Sequence, residues 1–306
     1  MASWNWRGHN INFLRAGRSD QPNKVLLIHG FGASVGHWRH NIPALSEQAD
    51  LIALDLLGFG ASDKPRSHLA NEPATAGSVR YCFDLWAEQV VDAAQYFFAD
   101  RGQLHLIGNS IGAVVALAAA KRMEALGTAP TQVVLIDCAQ RTLDDKRAAQ
   151  LSGFEQTTRP LTKQLVRQRW LISPLFRLLA QPGFIRQVLN KAYPSGANID
   201  ADLIELLYKP STTPGASESF RGFVNLFNDY LAPEILAELK TPVRMLWGEK
   251  DPWEAVAEAQ RWAEDFACVQ ELRVLPGLGH CPHDEAPEVV NPILKEWISA
   301  PGPLKN

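Results

Sequence analysis

Three residues in this chain have the types and neighbours that nucleophilic acyl chemistry needs: Ser110, Asp251 and His280. Ser110 stands at the centre of Gly108-Asn109-Ser110-Ile111-Gly112. A G-x-S-x-G pentapeptide suits a sharp strand-to-helix turn, because the bend that lifts a hydroxyl clear of a sheet leaves no room for a β-carbon on either side. A serine hydroxyl is a weak nucleophile and needs a base within hydrogen-bond reach; imidazole titrates near working pH and serves. His280 closes Pro276-Gly277-Leu278-Gly279-His280, and Asp251 lies in Gly248-Glu249-Lys250-Asp251-Pro252. The expected roles are nucleophile, base and orienting carboxylate, in the chain order Ser, Asp, His. The backbone N–H of Ile111 at the helix start, and that of Phe31 in His29-Gly30-Phe31-Gly32, are the expected oxyanion donors. A glycine-rich turn without chemistry can carry the same pentapeptide, so the elements around it must decide.

Convergence of three distant residues requires strands that end side by side. Leu104, Leu106 and Ile107 read as a short buried strand before Ser110, and residues 113–123 as a helix after it. Residues 25–28, 51–54 and 133–136 are further apolar runs of strand length, and 243–247 and 269–275 also read as strands. Residues 4–13 suit an antiparallel edge, 36–49 a helix, and 287–299 a closing helix. From Asp84 onward, Trp86, Val90, Ala94 and Phe97 mark one face of an amphipathic helix. This alternation predicts an α/β fold with a doubly wound, mostly parallel sheet. In such a sheet the carboxyl ends of the strands face one crevice, and Ser110, Asp251 and His280 each follow such an end. His29, Asp55 and Asp63 occupy turns and are expected to support backbone rather than react. His283, three residues beyond His280, lacks the preceding glycines that would deliver its ring into the crevice.

A chain of 306 residues with 46% hydrophobic content suits one large core domain, 1–139 with 241–306, and a helical cap inserted at 140–240. Within that insertion no strand pattern stands out, Leu171, Leu175, Leu178 and Leu179 keep helical spacing, and prolines at 160, 174, 182, 194, 210, 214 and 233 are expected to cut it into short pieces. Between residues 156 and 199 there is no Asp or Glu, whereas Arg159, Lys163, Arg167, Arg169, Arg177, Arg186 and Lys191 are basic. Two readings of that segment stay open here: a lid that touches a membrane surface, or the solvated charged face of an ordinary cap. The net charge of −3 argues against nucleic acid as a partner. Cys82, Cys138, Cys268 and Cys281 form no C-x-x-C pair and are expected to be reduced thiols. With no apolar run of signal-peptide or transmembrane type, a soluble cytoplasmic protein is expected.

Taken together, His29-Gly30-Phe31-Gly32, the pentapeptide at Ser110, the loop at Asp251 and the loop at His280 resemble the α/β-hydrolase superfamily over essentially the whole chain. More narrowly, the stretches 29–43 and 55–65 resemble the cyanobacterial and chloroplast branch that includes pheophytinase and chlorophyll dephytylase. That resemblance implies cleavage of the phytyl ester of a chlorophyll pigment to chlorophyllide and phytol, with no metal or organic cofactor, at or near the thylakoid membrane. Some members of the superfamily take the triad acid from the strand that here ends at Asp137; the G-x-x-D-P context favours Asp251. Serine at the elbow disfavours the related dehalogenases and epoxide hydrolases, which use a carboxylate there. The alternatives are a carboxylesterase or lipase acting on other apolar esters, a C–C bond hydrolase with the same triad, and a hydrolase-derived ligand receptor.

Overall fold

The computed structural model describes residues 2–98 and 102–299. One eight-stranded sheet forms its centre: β1 (Ala2–Trp6), β2 (His9–Ala16), β3 (Asn23–Ile28), β4 (Asp50–Leu54), β5 (Gln103–Asn109), β6 (Gln132–Ile136), β7 (Val243–Gly248) and β8 (Val269–Leu275). Their spatial order is β1-β2-β4-β3-β5-β6-β7-β8. The β1–β2 hairpin runs antiparallel along one edge, and β3 to β8 are mutually parallel. The hairpin turns on Arg7 and Gly8, both at positive φ, which matches the right-handed twist of the strands.

Among the described residues the α-helices are, in chain order, α1 (Asn41–Leu45), α2 (Phe83–Phe97), α3 (Ile111–Ala125), α4 (Gly153–Arg167), α5 (Arg169–Leu179), α6 (Pro182–Ala192), α7 (Ala201–Ser211), α8 (Ala216–Val224), α9 (Ala232–Leu236), α10 (Val256–Asp265), α11 (Pro282–Glu285) and α12 (Pro287–Ser299). Parallel strands buried on both faces alternate their side chains between two cores. Thus Leu26 and Ile28 of β3 pack with α2, α3 and Trp86, while Val25 and Leu27 pack with Trp38, Leu45, Val290 and Trp297 on the other face. The chain leaves β3 for β4 on one side and returns to β5 on the other. The carboxyl ends of β3 and β5 therefore flank the point where the strand order reverses, the place where such sheets open a crevice.

Two expectations fail locally. Residues 36–49 do not form one helix: a 3₁₀ turn over Val35–Trp38 is followed by the separate α1. A continuous helix would drive the ring of Pro43 against the Arg39 carbonyl, and the chain breaks between them. Conversely, Pro160 and Pro174 do not end helices but lie inside α4 and α5. The carbonyls they leave unpaired belong to Gln156 and Trp170, exposed positions where water can take the place of the missing N–H. The helices α10 and α11 have no counterpart in the sequence reading. Between β6 and β7 the described chain holds helices and no strand. All four cysteines are free, and no helix among the described residues is long and apolar enough to cross a membrane.

Candidate active site

Ser110 sits between β5 and α3 with φ 57° and ψ −122°, a strained conformation for a residue with a β-carbon. The turn closes only because its flanks are glycine. A β-carbon on Gly108 would lie 2.3 Å from the Gly112 carbonyl oxygen, and one on Gly112 would lie 2.3 Å from that of Ile28. The Ser110 N–H donates to the Ile136 carbonyl at 2.9 Å, anchoring the elbow to the next strand. Asn109 adds a tie that sequence reasoning missed. Its Nδ2 donates to the carbonyls of Ile136 (3.2 Å) and His280 (3.1 Å), so the residue beside the serine holds the histidine loop. An amide at the end of an otherwise apolar strand was the available signal.

The loop after β8 delivers His280, whose ring meets the loop after β7. His280 Nδ1 lies 2.7 Å from Asp251 Oδ2. An ionised carboxylate only accepts, so Nδ1 carries the proton and Nε2 presents its lone pair. The other Asp251 oxygen accepts the N–H groups of Trp253 (2.9 Å) and Glu254 (3.1 Å). Burial alone would raise the pKa of this carboxyl. The hydrogen bond and charge of His280, with the Trp253 N–H, hold it below the usual carboxylate range. The Trp253 indole stands edge-on to the His280 ring at 4.9 Å between centroids, walling it on one side. Among the described residues no hydrogen bond joins the Ser110 hydroxyl to the His280 ring. Such bonds commonly tighten only once substrate is bound.

Asp137, the competing acid, ends β6 at φ 44° and is fully buried. It accepts the Gly248 N–H at 2.9 Å and makes no hydrogen bond to the His280 ring. Burial, then the charge of Asp251, pushes its carboxyl well above the ordinary value. A side-chain nitrogen or oxygen of each of Asp137, Asp251 and His280 lies within 4.8 Å of the others, which sets the buried Asp137 carboxyl beside Asp251. Glu254 completes the acidic side. Burial pushes it up to about 7 although it accepts the Gln140 N–H at 2.7 Å.

The loop after β3 lies against the elbow: a β-carbon on Gly30 would come within 3.2 Å of Ser110 Cβ. His29 is turned into that loop. Its Nδ1 donates to the Gly30 carbonyl (2.7 Å), and its Nε2 accepts the Leu56 N–H (3.0 Å). Among the described residues the N–H groups of Phe31 and Ile111 donate no hydrogen bond. A developing oxyanion requires free donors of this kind, and Ile111 follows Ser110 directly while Phe31 follows Gly30, which lies against it. Asp55 and Asp63 bond backbone: Asp55 accepts from Val35 (2.6 Å) and Ala61 (2.7 Å), and Asp63 from Asn10 (2.8 Å). His283 is buried against Trp38 and His37, with neither ring nitrogen hydrogen-bonded.

Above the elbow, a cavity of about 260 Å³ lies between the core and the inserted helices. Phe31 and Phe59 line it from below, and Phe176, Phe184, Val188 and Leu189 from α5 and α6. Lys64 is its one charged lining residue, and the Lys64 ammonium donates to the carbonyls of Gly60 (2.6 Å) and Ser62 (3.2 Å). The insertion also grips the histidine loop. The His280 N–H donates to the Ala192 carbonyl at 2.9 Å, and Glu285 accepts from Gly279 (2.7 Å) and from the Ser195 N–H (2.9 Å). Arg39 extends the grip, bonding Asp284 (2.8 Å) beyond the loop and Asp200 (2.8 Å) at the start of α7.

An elbow serine, a histidine held by a buried carboxylate and paired free N–H groups on a parallel sheet define a class, and the comparisons agree with it. The model of the alpha/beta hydrolase family matches residues 25–293, and the chain belongs to that family. It is similar to an uncharacterised hydrolase of Bacillus subtilis, YugF, at 25% identity over 90% of this chain and 89% of that one. It is also similar to chloroplastic pheophytinase of Arabidopsis thaliana, at 24% identity over 94% of this chain and 64% of the relative. Among solved structures, the meta-cleavage product hydrolase of Pseudomonas fluorescens IP01 superposes with a TM-score of 0.71 at 21% identity, covering 98% of this chain and 97% of the other.

Proposed function

We propose that this hydrolase cleaves a carboxylic ester through an acyl-enzyme, with Ser110 as nucleophile, His280 as base and Asp251 as its orienting carboxylate. The observation that carries the reading is the 2.7 Å contact between His280 Nδ1 and Asp251, which fixes the tautomer whose Nε2 can accept a proton. As Ser110 Oγ bonds to the ester carbon, its proton passes to Nε2. The carbonyl oxygen becomes an oxyanion between the N–H groups of Phe31 and Ile111, each worth roughly 3 kcal/mol to the transition state. Collapse breaks the bond to the leaving alcohol, which takes the proton from Nε2. Water, deprotonated by the same nitrogen, then attacks the acyl carbon and releases the acid with Ser110 restored. Asp137, buried beside Asp251 and without a hydrogen bond to the His280 ring, supports the carboxylate rather than replacing it.

The apolar cavity and the likeness to pheophytinase support an ester with a long hydrocarbon chain, and we take the phytyl ester of a chlorophyll pigment as the substrate to test. Incubation with chlorophyll a should yield chlorophyllide and phytol on chromatography. Brisk hydrolysis of short p-nitrophenyl esters with no pigment product would replace that substrate by a general apolar ester. A fluorophosphonate probe should label Ser110, and Ser110→Ala should abolish labelling and lower kcat by about 10⁴-fold or more. A wild-type protein inert to the probe would falsify the nucleophile assignment. A second reading, C–C bond hydrolysis, is favoured by the likeness to the meta-cleavage product hydrolase and by Lys64, a cation that could meet a substrate carboxylate. Turnover of 2-hydroxy-6-oxo-6-phenylhexa-2,4-dienoate without ester cleavage would establish it.

A further inference from the structure

The inserted helices α5 and α6 have two faces. Ile172, Phe176 and Leu179 of α5 recur at helical spacing; Ile172 is buried, and Phe176 and Leu179 line the cavity. The other face is apolar too, yet lies in solvent: Trp170 is 74% and Leu178 70% exposed, with Leu165 at the end of α4 close by in the chain. A soluble surface rarely spends its largest apolar residues this way. The charges around them are one-sided. Arg159 and Lys163 pair with Asp145, and Arg169 with Glu218. Arg167, Arg177, Arg186 and Lys191 are exposed and, among the described residues, make no side-chain hydrogen bond or ion pair. Phe184 joins the two sides, since it lines the cavity and is 41% exposed.

We propose that this outer face of α5 and α6, with the end of α4, docks on an anionic lipid surface with the cavity mouth at Phe184 turned towards it. Unpaired arginines supply attraction to headgroups, and Trp170 and Leu178 enter the boundary beneath them, the division of labour of an interfacial helix. A second copy of the chain fits the face poorly, because a two-fold contact would set these cations against one another. Docked in this way, the apolar cavity opens on the lipid without crossing water. The inference concerns where the protein sits and stands apart from which bond it cleaves.

The test is co-sedimentation of the full chain with vesicles of phosphatidylcholine alone or mixed equally with phosphatidylglycerol, at low and high sodium chloride. Binding to the anionic vesicles should be at least about tenfold tighter than to neutral ones and should fall by a similar factor at high salt. The doubles Arg177→Glu/Arg186→Glu and Trp170→Ser/Leu178→Ser should each weaken it by about tenfold or more, while hydrolysis of a soluble short ester stays unchanged. Absence of vesicle binding, equal binding to neutral vesicles, or indifference to salt overturns the proposal, and these wild-type outcomes decide it whether or not a variant folds. A dimer in ultracentrifugation that the doubles dissolve, without vesicle binding, would assign the face to a second copy.

Discussion

At the scale of single residues, the two carboxyls behind His280 divide the work by environment. Asp251 is bonded to the ring and its pKa is held down, whereas Asp137 is bonded to the Gly248 N–H and its pKa is pushed up by burial. Asp251→Asn should therefore lower kcat for ester hydrolysis by about 10⁴-fold, through loss of the tautomer that frees Nε2. Asp137→Asn keeps an acceptor for the Gly248 N–H and leaves the Asp251–His280 contact in place, so its effect on kcat should stay under about tenfold. Reversal of that order in steady-state kinetics would make Asp137 the orienting acid. Glu254 gives a prediction in pH. Its carboxyl is pushed up to about 7 in the fold and ionises near the ordinary carboxylate value when unfolded, so the folded state binds the extra proton between those values. Stability must then fall as pH rises through that window and level off above 7. Glu254→Gln should gain on the wild type across it, by about 1–3 kcal/mol in denaturant titrations at pH 8, with little difference at pH 4. The triad candidates were legible because each sits in a short local pattern. Asn109, Trp253 and Glu254 were not, because their partners lie far away in sequence or depend on burial that no spacing reveals.

At the scale of elements, β3 and β6 were readable through the apolar runs 25–28 and 133–136, since a parallel strand covered on both faces has no polar side to interrupt it, whereas β8 at the sheet edge carries Gln270, Glu271 and Arg273. The helices were harder. Pro43 interrupts the helix expected over 36–49, while Pro160 and Pro174 lie inside α4 and α5, where the carbonyls left unpaired belong to exposed residues. A sharp element-level constraint is at Gly279, where a β-carbon would sit 2.1 Å from the Ala192 carbonyl oxygen. Backbone cannot yield there as a side-chain tip can. Gly279→Ala should cost about 2–3 kcal/mol in thermal or denaturant unfolding and lower kcat more than KM, because it pushes the histidine loop away from the insertion. Unchanged turnover in that variant would show that the loop finds its position without Ala192.

At the scale of the whole molecule, the insertion is tied to the core beside the histidine loop as well as at Ser67 and Glu72. Arg39 bonds Asp284 and Asp200 at once, and the Asp284 side chain is fully buried. Arg39→Ala leaves that carboxylate short of its main counter-charge and should destabilise the protein by about 3 kcal/mol. Amide exchange should quicken over Asp200–Ile204, the start of α7, ahead of global unfolding. If exchange rises evenly instead, the arginine braces the core alone.

The hydrogen bond from the His280 N–H to the Ala192 carbonyl also sets where this protein can be cut and rejoined. A chimaera that borrows another enzyme's roof up to the middle of α6 keeps the imidazole in register and changes only which molecules enter. One that exchanges the segment through Asp200 must bring its own brace for the histidine, or inherit a pocket with no working base.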